Sequence, residues 1–467
     1  MKRYLVQTFG CQMNVHDSRR IEEVLGDHGY LPTEEAAQAD VIVFNTCSVR
    51  EKAEQKLRSA IGTYRGLKAD NPDLVIVVAG CVAQQEGDKL LRQIPHLDVV
   101  IGPDNIQELP ALVEHLRDGA PPMARTVFDM DAPRFLTAKP RTQAHEVTSF
   151  VTVMKGCDER CTYCIVPYTR GPERYRPAVD IVNEISRLVA GGVREITLLG
   201  QTVNSWHSQG SGEGESEFPA LLARIAHEVP ELVRLRYTSP HPRHLTPALT
   251  AAHAELSVLP KHLHLPVQSG SDRMLKRMLR RYTAADYLAR VQGLQERVPG
   301  LTLSTDVIVG FPGETDQDFE ATLQLVRDAG FISLFGFKYS PRPHTPALKL
   351  EDDVPESVKD ERLQRLFQVV EAQQRAHLAS LVGQRVEVLI ETRDEARPER
   401  FSGRSERNEL VHVDVPAGAD PRGTLVQAEV IEAFKHSLHA VAMGAVPRRE
   451  LPAQPARQPV RLPLASA

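Results

Sequence analysis

The chain has 467 residues, which at about 150 residues per domain leads to an expectation of roughly three domains. Its composition, 42% hydrophobic and 25% charged, is that of an ordinary globular protein, and no apolar run reaches the roughly 18 residues a membrane span needs. A net charge of −5 excludes a polycation, so any nucleic-acid contact must rest on a local basic surface.

The N-terminal stretch Met1-Lys2-Arg3-Tyr4-Leu5-Val6-Gln7-Thr8 has too short an apolar core for a secretory signal. A cytoplasmic protein is expected, its six cysteines kept reduced and free to bind metal. Residues 1–140 read as a small doubly wound α/β domain. Apolar runs at 4–9, 41–44 and 74–78 alternate with helical patterns at 18–29, 49–67 and 83–93, as in a parallel sheet covered by helices. Cys11, Cys47 and Cys81 each follow one of these strands. The carboxyl ends of strands in an open parallel sheet form the ligand crevice, beside helix N-termini that favour thiolate. The three thiols are therefore expected along one edge of the sheet. A lone cysteine can also be a small buried hydrophobe; the polar neighbours Gln12, Asn14, Asn45, Thr46 and Gln84 favour a site.

A Pro-, Ala- and charge-rich connector at 120–145 leads into a central domain, 141–378. Strand-like runs at 150–154, 195–199, 233–237, 263–267, 303–309 and 333–339 are separated by helical ones, among them 179–189, 287–298 and 319–328. Six βα units predict a partial (β/α)6 TIM-like barrel with its site at the strand carboxyl ends; a closed eight-stranded barrel is the alternative. Directly after the first strand stands C-x-x-x-C-x-x-C: Cys157, Cys161 and Cys164. Three thiolates so close can grip three corners of a [4Fe–4S] cube and leave one iron open, and an open metal position marks chemistry. A Cys₃His zinc site is the alternative, although no His lies close by and paired C-x-x-C knuckles are absent. Polar, glycine-containing turns at 200–204, 266–271 and 306–315 end further strands, where backbone N–H groups can approach a ligand. Residues 204–217 read as a mobile loop or a plain solvated insertion.

A long helix at 355–381 links to a third domain, 379–443. Alternating runs at 385–390, 410–415, 424–430 and 437–442 predict a small antiparallel β-barrel. The intervening turn carries Arg397, Arg400, Arg404 and Arg407 around Phe401, suited to phosphate contact and base stacking, although Glu395, Glu399, Glu406 and Glu409 offset much of that charge. Lys276, Arg277, Arg280 and Arg281 form a second basic stretch, either a phosphate contact or a helix surface. Residues 444–467, rich in Pro, Ala and Arg, read as a disordered tail.

The compact triplet resembles that of the radical S-adenosylmethionine (SAM) superfamily. Its combination with Cys11-Gln12-Met13-Asn14, with 45–51, with Gly80-Cys81-Val82-Ala83-Gln84, with 164–171 and with 264–271 resembles the methylthiotransferases within it, nearly to residue 443. Among these the chain is similar to the branch acting on N6-isopentenyladenosine beside the anticodon of tRNA. Sibling branches act on threonylcarbamoyl-adenosine of tRNA or on an aspartate of a ribosomal protein, and the segment 45–56 favours the isopentenyl branch. The resemblance implies two [4Fe–4S] clusters, one on Cys157, Cys161 and Cys164 that cleaves SAM, the other on Cys11, Cys47 and Cys81 that handles sulfur, with a second SAM as methyl donor. It implies a SAM pocket at Tyr163, Gly200, Gln201, Val309 and Gly310, and an OB-like TRAM domain that binds RNA through the arginines around Phe401. Further implied partners are an electron donor such as flavodoxin or ferredoxin and sulfur- or cluster-delivery proteins, with no membrane. Tyr175 and His344 depart from the family pattern, the first where a small residue and the second where glycine is usual. A non-catalytic, zinc-containing RNA-binding protein is the rival of a different class.

Overall fold

The computed structural model describes residues 1–48, 51–130, 133–137, 139, 146–208 and 216–446. Val49, Arg50, the tail expected to be disordered beyond 446, the middle of the 204–217 loop and the last part of the connector lie outside the described residues.

The first domain is a parallel sheet in the order β2-β1-β3-β4-β5-β6, formed by β1 (Arg3–Phe9), β2 (Leu31–Pro32), β3 (Val41–Thr46), β4 (Val75–Gly80), β5 (Val99–Ile101) and β6 (Met123–Arg125). Every residue of β3 and β4 is buried, because the pleat sends alternate side chains into two apolar layers. Val41 and Val43 join one layer with Ile21 and Val113, whereas Ile42 and Phe44 join the other with Leu57 and Leu90. The sequence-predicted strands are β1, β3 and β4, which stand side by side; β2, β5 and β6 are two or three residues long and carry too little pattern to be read.

Six parallel strands form the central domain: β7 (Thr148–Thr152), β10 (Glu195–Leu199), β11 (Arg234–Tyr237), β12 (His262–His264), β13 (Thr302–Val309) and β14 (Ser333–Lys338). They pair as β7-β10-β11 and β12-β13-β14, so the partial barrel has an open seam between β11 and β12. One continuous apolar core joins both halves, from Val151 and Ile196 to Leu303 and Val326. A short antiparallel pair, β8 (Met154–Lys155) with β9 (Arg174–Tyr175), brackets the loop that carries the compact triplet.

After the helix Glu356–Ser380, the third domain closes as a five-stranded barrel in the order β15-β16-β17-β19-β18. Its strands are β15 (Arg385–Arg393), β16 (Arg400–Ser405), β17 (Leu410–Asp414), β18 (Leu425–Ala433) and β19 (Leu438–Ala442). The stretch read as an arginine-bearing turn is thus largely strand β16. Its period of two sends Phe401, Gly403 and Ser405 inward and Arg400, Ser402 and Arg404 outward.

The first domain lies along β7, where Arg19 pairs with Glu146 at 2.5 Å, and reaches the strand carboxyl ends, whereas the third docks at the strand starts. Near the strand carboxyl ends, Asp17 of the first domain pairs with Arg170 at 2.6 Å, and Asp104 pairs with Lys155 at 3.0 Å and with Arg174. At the strand starts, the Arg234 guanidinium donates to the Arg404 carbonyl and Thr302 Oγ1 donates to the Arg407 carbonyl at 2.9 Å. No helix among the described residues is long and apolar enough to cross a membrane.

Candidate metal centre

Adjacency of β1, β3 and β4 brings Cys11, Cys47 and Cys81 to one edge of the first sheet. Cys11 caps the helix Gln12–Asp27, Cys81 opens the helix Cys81–Glu86, and the Cys47 amide donates to the Phe9 carbonyl at 2.9 Å. Two glycines permit this crowding. A Cβ on Gly10 would stand 2.6 Å from Cys47 Cβ, and one on Gly80, at φ +92°, would stand 2.3 Å from Asn45 Oδ1. Buried Asn14 and Asn45 lock the turns together: Asn14 Nδ2 donates to Asn45 Oδ1 at 3.2 Å, and Asn45 Nδ2 to the Asn14 carbonyl at 2.8 Å. The Cys11 thiol is lowered to about 6, chiefly by the Cys47 thiol beside it, while burial pushes Cys81 up. The second-domain residue Arg170 reaches into this trio and donates Nε to Cys81 Sγ at 3.2 Å.

The compact trio sits beyond β8. Gly156, at φ +80°, sets its entry: the Gly156 amide donates to Gln201 Oε1 at 2.5 Å and the Cys157 amide to the Gly171 carbonyl at 3.1 Å. Cys157 Sγ lies 2.8 Å from Thr202 Oγ1, and Cys161 Sγ accepts from Arg280 Nη1 at 3.4 Å. Thr162 ties the loop to its neighbours through the Met278 carbonyl at 3.1 Å and the Ala347 amide at 2.8 Å. Burial pushes the Cys157 thiol up to about 12 and Cys164 higher still. Three cysteines free of disulfides, Cys157 and Cys161 buried and Cys164 half-buried, are a donor set that a cationic cluster turns into thiolates.

Their spacing argues against a single ion. Among the described residues, the set of His, Cys, Asp and Glu atoms that closes to within 4.8 Å is Glu159, His241 and His244. Neither cysteine trio closes so tightly, whereas three thiolates on one zinc, at bonds of about 2.3 Å, would. Glu159 itself is held by Arg243 at 3.4 Å and His244 at 3.2 Å, and buried His241 stays neutral through desolvation and the surrounding guanidinium groups.

A cavity of about 750 Å³ connects the first-domain trio with the barrel interior. Cys11, Cys47, Cys81 and Arg170 line one end, Gly200 and Gln201 the wall, and Arg236, Glu391 and Arg404 the far end. Of the expected SAM-pocket residues, Gly200 and Gln201 therefore face it. Tyr163 stands edge-on to Phe311, with ring centroids 6.5 Å apart, and Val309 is core; the Gly310 amide donates to Glu314 Oε2 at 2.7 Å.

The five residues proposed for RNA do not form one surface. Phe401 is fully buried in the third-domain core, so it offers no face to a base. Arg404 and Arg407 lie at the junction with the central barrel, while Arg400 pairs with Asp414 at 2.7 Å and Arg397 is exposed. In the second basic stretch Arg280 is buried against Cys161, which removes it from both readings, phosphate contact and helix surface; Lys276, Arg277 and Arg281 are exposed. Sequence reasoning missed Arg170 and Arg280 as site residues, although Arg170 stands within the motif at 164–171. Of the two departures from the family pattern, His344 holds φ +64°, a conformation natural to the usual glycine, with its ring 5.6 Å from Tyr168. The Tyr175 hydroxyl donates to Glu173.

Residues 3–102 match UPF0004, an uncharacterized protein family, and residues 151–326 match the radical SAM superfamily. A relative from Sorangium cellulosum (strain So ce56), named tRNA-2-methylthio-N(6)-dimethylallyladenosine synthase, is 60% identical over 463 residues, covering 94% of this chain and 93% of its own. Among solved structures, the radical S-adenosylmethionine methyltransferase TsrM from Kitasatospora setae, with cobalamin and a [4Fe–4S] cluster bound, has a TM-score of 0.53 at 16% identity over 74% of this chain and 77% of its own. Its form with tryptophan and a SAM analogue gives 0.52 at 16% identity, over 74% and 75%. At that identity the likeness is one of fold.

Proposed function

The chain belongs to the tRNA-2-methylthio-N(6)-dimethylallyladenosine synthase family of radical SAM enzymes, and from that premise we propose a division of labour between its two cysteine trios. The protein is a tRNA methylthiotransferase that converts N6-isopentenyladenosine beside the anticodon to its 2-methylthio derivative. SAM and a [4Fe–4S] cluster are its cofactors and tRNA is its substrate. The C2–H of adenine is too weakly acidic for any side-chain base, and the cofactor pair supplies the radical chemistry that breaks it.

Cys157, Cys161 and Cys164 would hold that cluster with one iron open. Thr202 and Arg280 orient two of the three sulfurs, and Gln201 fixes the turn before the first. Tyr163, Gly200, Gln201, Val309 and Gly310 would bound the SAM pocket. Cys11, Cys47 and Cys81 would hold a second [4Fe–4S] cluster that carries the sulfur, and Arg170 binds that trio to the central domain. The domains divide as 1–140 for sulfur handling, 141–378 for radical generation and 379–443 for RNA, followed by the tail. For RNA contact, exposed Arg397 and half-buried Arg400 on the third domain fit best. A flavodoxin- or ferredoxin-type donor, sulfur-delivery proteins and a cytoplasmic location complete the reading.

The observation that carries this reading is the guanidinium of Arg170, six positions after Cys164, touching Cys81 at 3.2 Å. It couples the dispersed trio to the loop of the compact one. Anaerobically purified protein should carry iron and sulfide approaching two cubes per chain; stoichiometric zinc without iron would overturn the reading. Cys157→Ala, Cys161→Ala or Cys164→Ala should abolish SAM cleavage. Cys11→Ala, Cys47→Ala or Cys81→Ala should keep uncoupled cleavage and stop thiolation; loss of cleavage in both sets would refute the division. In a deletion strain, unthiolated isopentenyladenosine should accumulate in tRNA, whereas loss of the methylthio threonylcarbamoyl derivative would reassign the substrate.

A further inference from the structure

Each cysteine trio carries one buried arginine against a sulfur, and the two arginines differ in what else they touch. Arg280 donates Nη1 to Cys161 Sγ at 3.4 Å, Nη2 to the Pro266 carbonyl at 2.9 Å and Nε to the Tyr282 hydroxyl at 2.9 Å. Among the described residues it forms no ion pair with a carboxylate. Of the acids beside the same loop, Glu159 is engaged by Arg243 and His244, Asp158 is exposed, and Glu173 accepts from the Tyr175 and Ser205 hydroxyls. Arg170 donates to Cys81 Sγ at 3.2 Å, but its Nη2 donates to the Asp17 carboxylate at 2.6 Å. A guanidinium without a carboxylate partner among the described residues therefore stands against the compact trio, and a neutral ion pair stands against the dispersed one.

Taking the two-cluster reading as given, we infer that Arg280 and the Asp17–Arg170 pair set which trio's cluster is reduced first: the one on Cys157, Cys161 and Cys164. Uptake of one electron adds one negative charge to a cluster. Iron–sulfur potentials respond to net charge and to hydrogen bonds on the sulfurs, and a buried charge is weakly screened. Arg280 therefore stabilises the reduced form at its trio, while Asp17 cancels most of the same effect of Arg170. The arrangement directs the electron to the site where SAM is cleaved and keeps the sulfur-bearing site oxidised. Arg280 acts through Cys161 and is a positioning residue, not a catalytic one.

The test is a redox titration of the reconstituted full chain with dithionite, read by electron paramagnetic resonance. Triple Cys→Ala variants of either trio tell the two clusters apart. Iron content is measured first, and a shortfall from two cubes counts against the two-cluster reading alone. Arg280→Gln should lower the reduced-to-oxidised ratio of the compact-trio cluster at least tenfold at fixed potential, which is about 59 mV for a one-electron couple. The same substitution should leave the other cluster unmoved, and Arg280→Lys should restore most of the loss. Asp17→Asn, which is isosteric, should raise the ratio at the dispersed trio, because Arg170 is then uncompensated; Arg170→Gln should lower it. An unmoved compact-trio potential in Arg280→Gln, or equal shifts at both trios, overturns the inference. Should Arg280→Gln fail to hold iron, Asp17→Asn decides alone: an unmoved potential at the dispersed trio overturns it.

Discussion

A methyl group at Gly156 should empty one metal site and spare the other. In Gly156→Ala the new Cβ would stand 1.9 Å from the Pro172 carbonyl oxygen and 2.5 Å from that of Gly171. An ordinary carbon–oxygen contact is about 3.3 Å, so the 171–172 segment must retreat by about 1.4 Å. The Gly171 carbonyl is the acceptor that holds the Cys157 amide, so its retreat moves a ligand. Alanine at φ +80° costs about 1–2 kcal/mol in strain, and loss of that hydrogen bond about 1 more, for a total of about 2–3 kcal/mol. Gly119→Ala is the control, since Gly119 has φ +93° with nothing within 4 Å and should show the strain alone. Urea unfolding of the metal-free chain reads the stability, and iron analysis reads the site. Iron in Gly156→Ala should fall by about half, from about eight to about four per chain, with SAM cleavage lost. Full iron with wild-type cleavage would refute the argument that this glycine is required by close approach.

Other perturbations probe other parts of the fold. Buried His253 accepts from the Tyr237 hydroxyl at 2.6 Å, and desolvation lowers its pKa to about 4. The unfolded chain takes up that proton near 6.5, so stability that is complete above 6.5 is lost as pH falls towards 4, by up to about 3 kcal/mol. Thermal melts across that window should flatten in His253→Gln, and an unchanged slope would discount the group. Phe401→Ala should destabilise the third domain by about 3–5 kcal/mol, as a core truncation does. Arg397→Ala should leave stability within about 0.5 kcal/mol while weakening tRNA binding and reducing its salt dependence by about one phosphate contact. Loss of the Arg234 contacts to the Arg404 and Glu387 carbonyls in Arg234→Ala should loosen the third domain, seen as faster proteolytic release, at about 1–3 kcal/mol.

Periodicity exposed the strands that matter to the site. β1, β3 and β4 each hold an apolar run, at 4–6, 41–44 and 75–79, and a cysteine follows the end of each strand, so the common edge of the dispersed trio was legible from the pattern. The arginines were not, because a run of cations records charge and not direction. In 276–281, Leu279 at φ +56° and Arg281 at φ +58° adopt left-handed backbone on either side of Arg280, and this turn carries its side chain inward. Neither residue type announces such a conformation. Strand β16 escaped notice for a related reason: Arg400-Phe401-Ser402-Gly403-Arg404-Ser405 has one aromatic on its inner face, and its second inward residue is a glycine whose Cβ would stand 2.0 Å from the Leu389 carbonyl. Close backbone approach replaces the apolar side chain that would have marked the strand.

Position along the barrel axis then decides which cations can serve the reacting nucleotide. A five-residue strand such as β7 spans about 17 Å at about 3.3 Å per residue. Arg404 and Arg407 dock at the strand starts and both cysteine trios stand beyond the strand ends, so the two groups are separated by roughly one barrel height. Arg404, at the far end of the cavity that Cys11, Cys47 and Cys81 line, would therefore meet the modified nucleotide only across the length of that cavity. The exposed cations Lys276, Arg277 and Arg281 lie instead beside the compact trio, where Thr162 bonds to the Arg277 and Met278 carbonyls. Arg281→Ala should therefore lower methylthiolation of tRNA through KM, with SAM cleavage retained. An unchanged KM would place the path of the anticodon loop elsewhere on the rim.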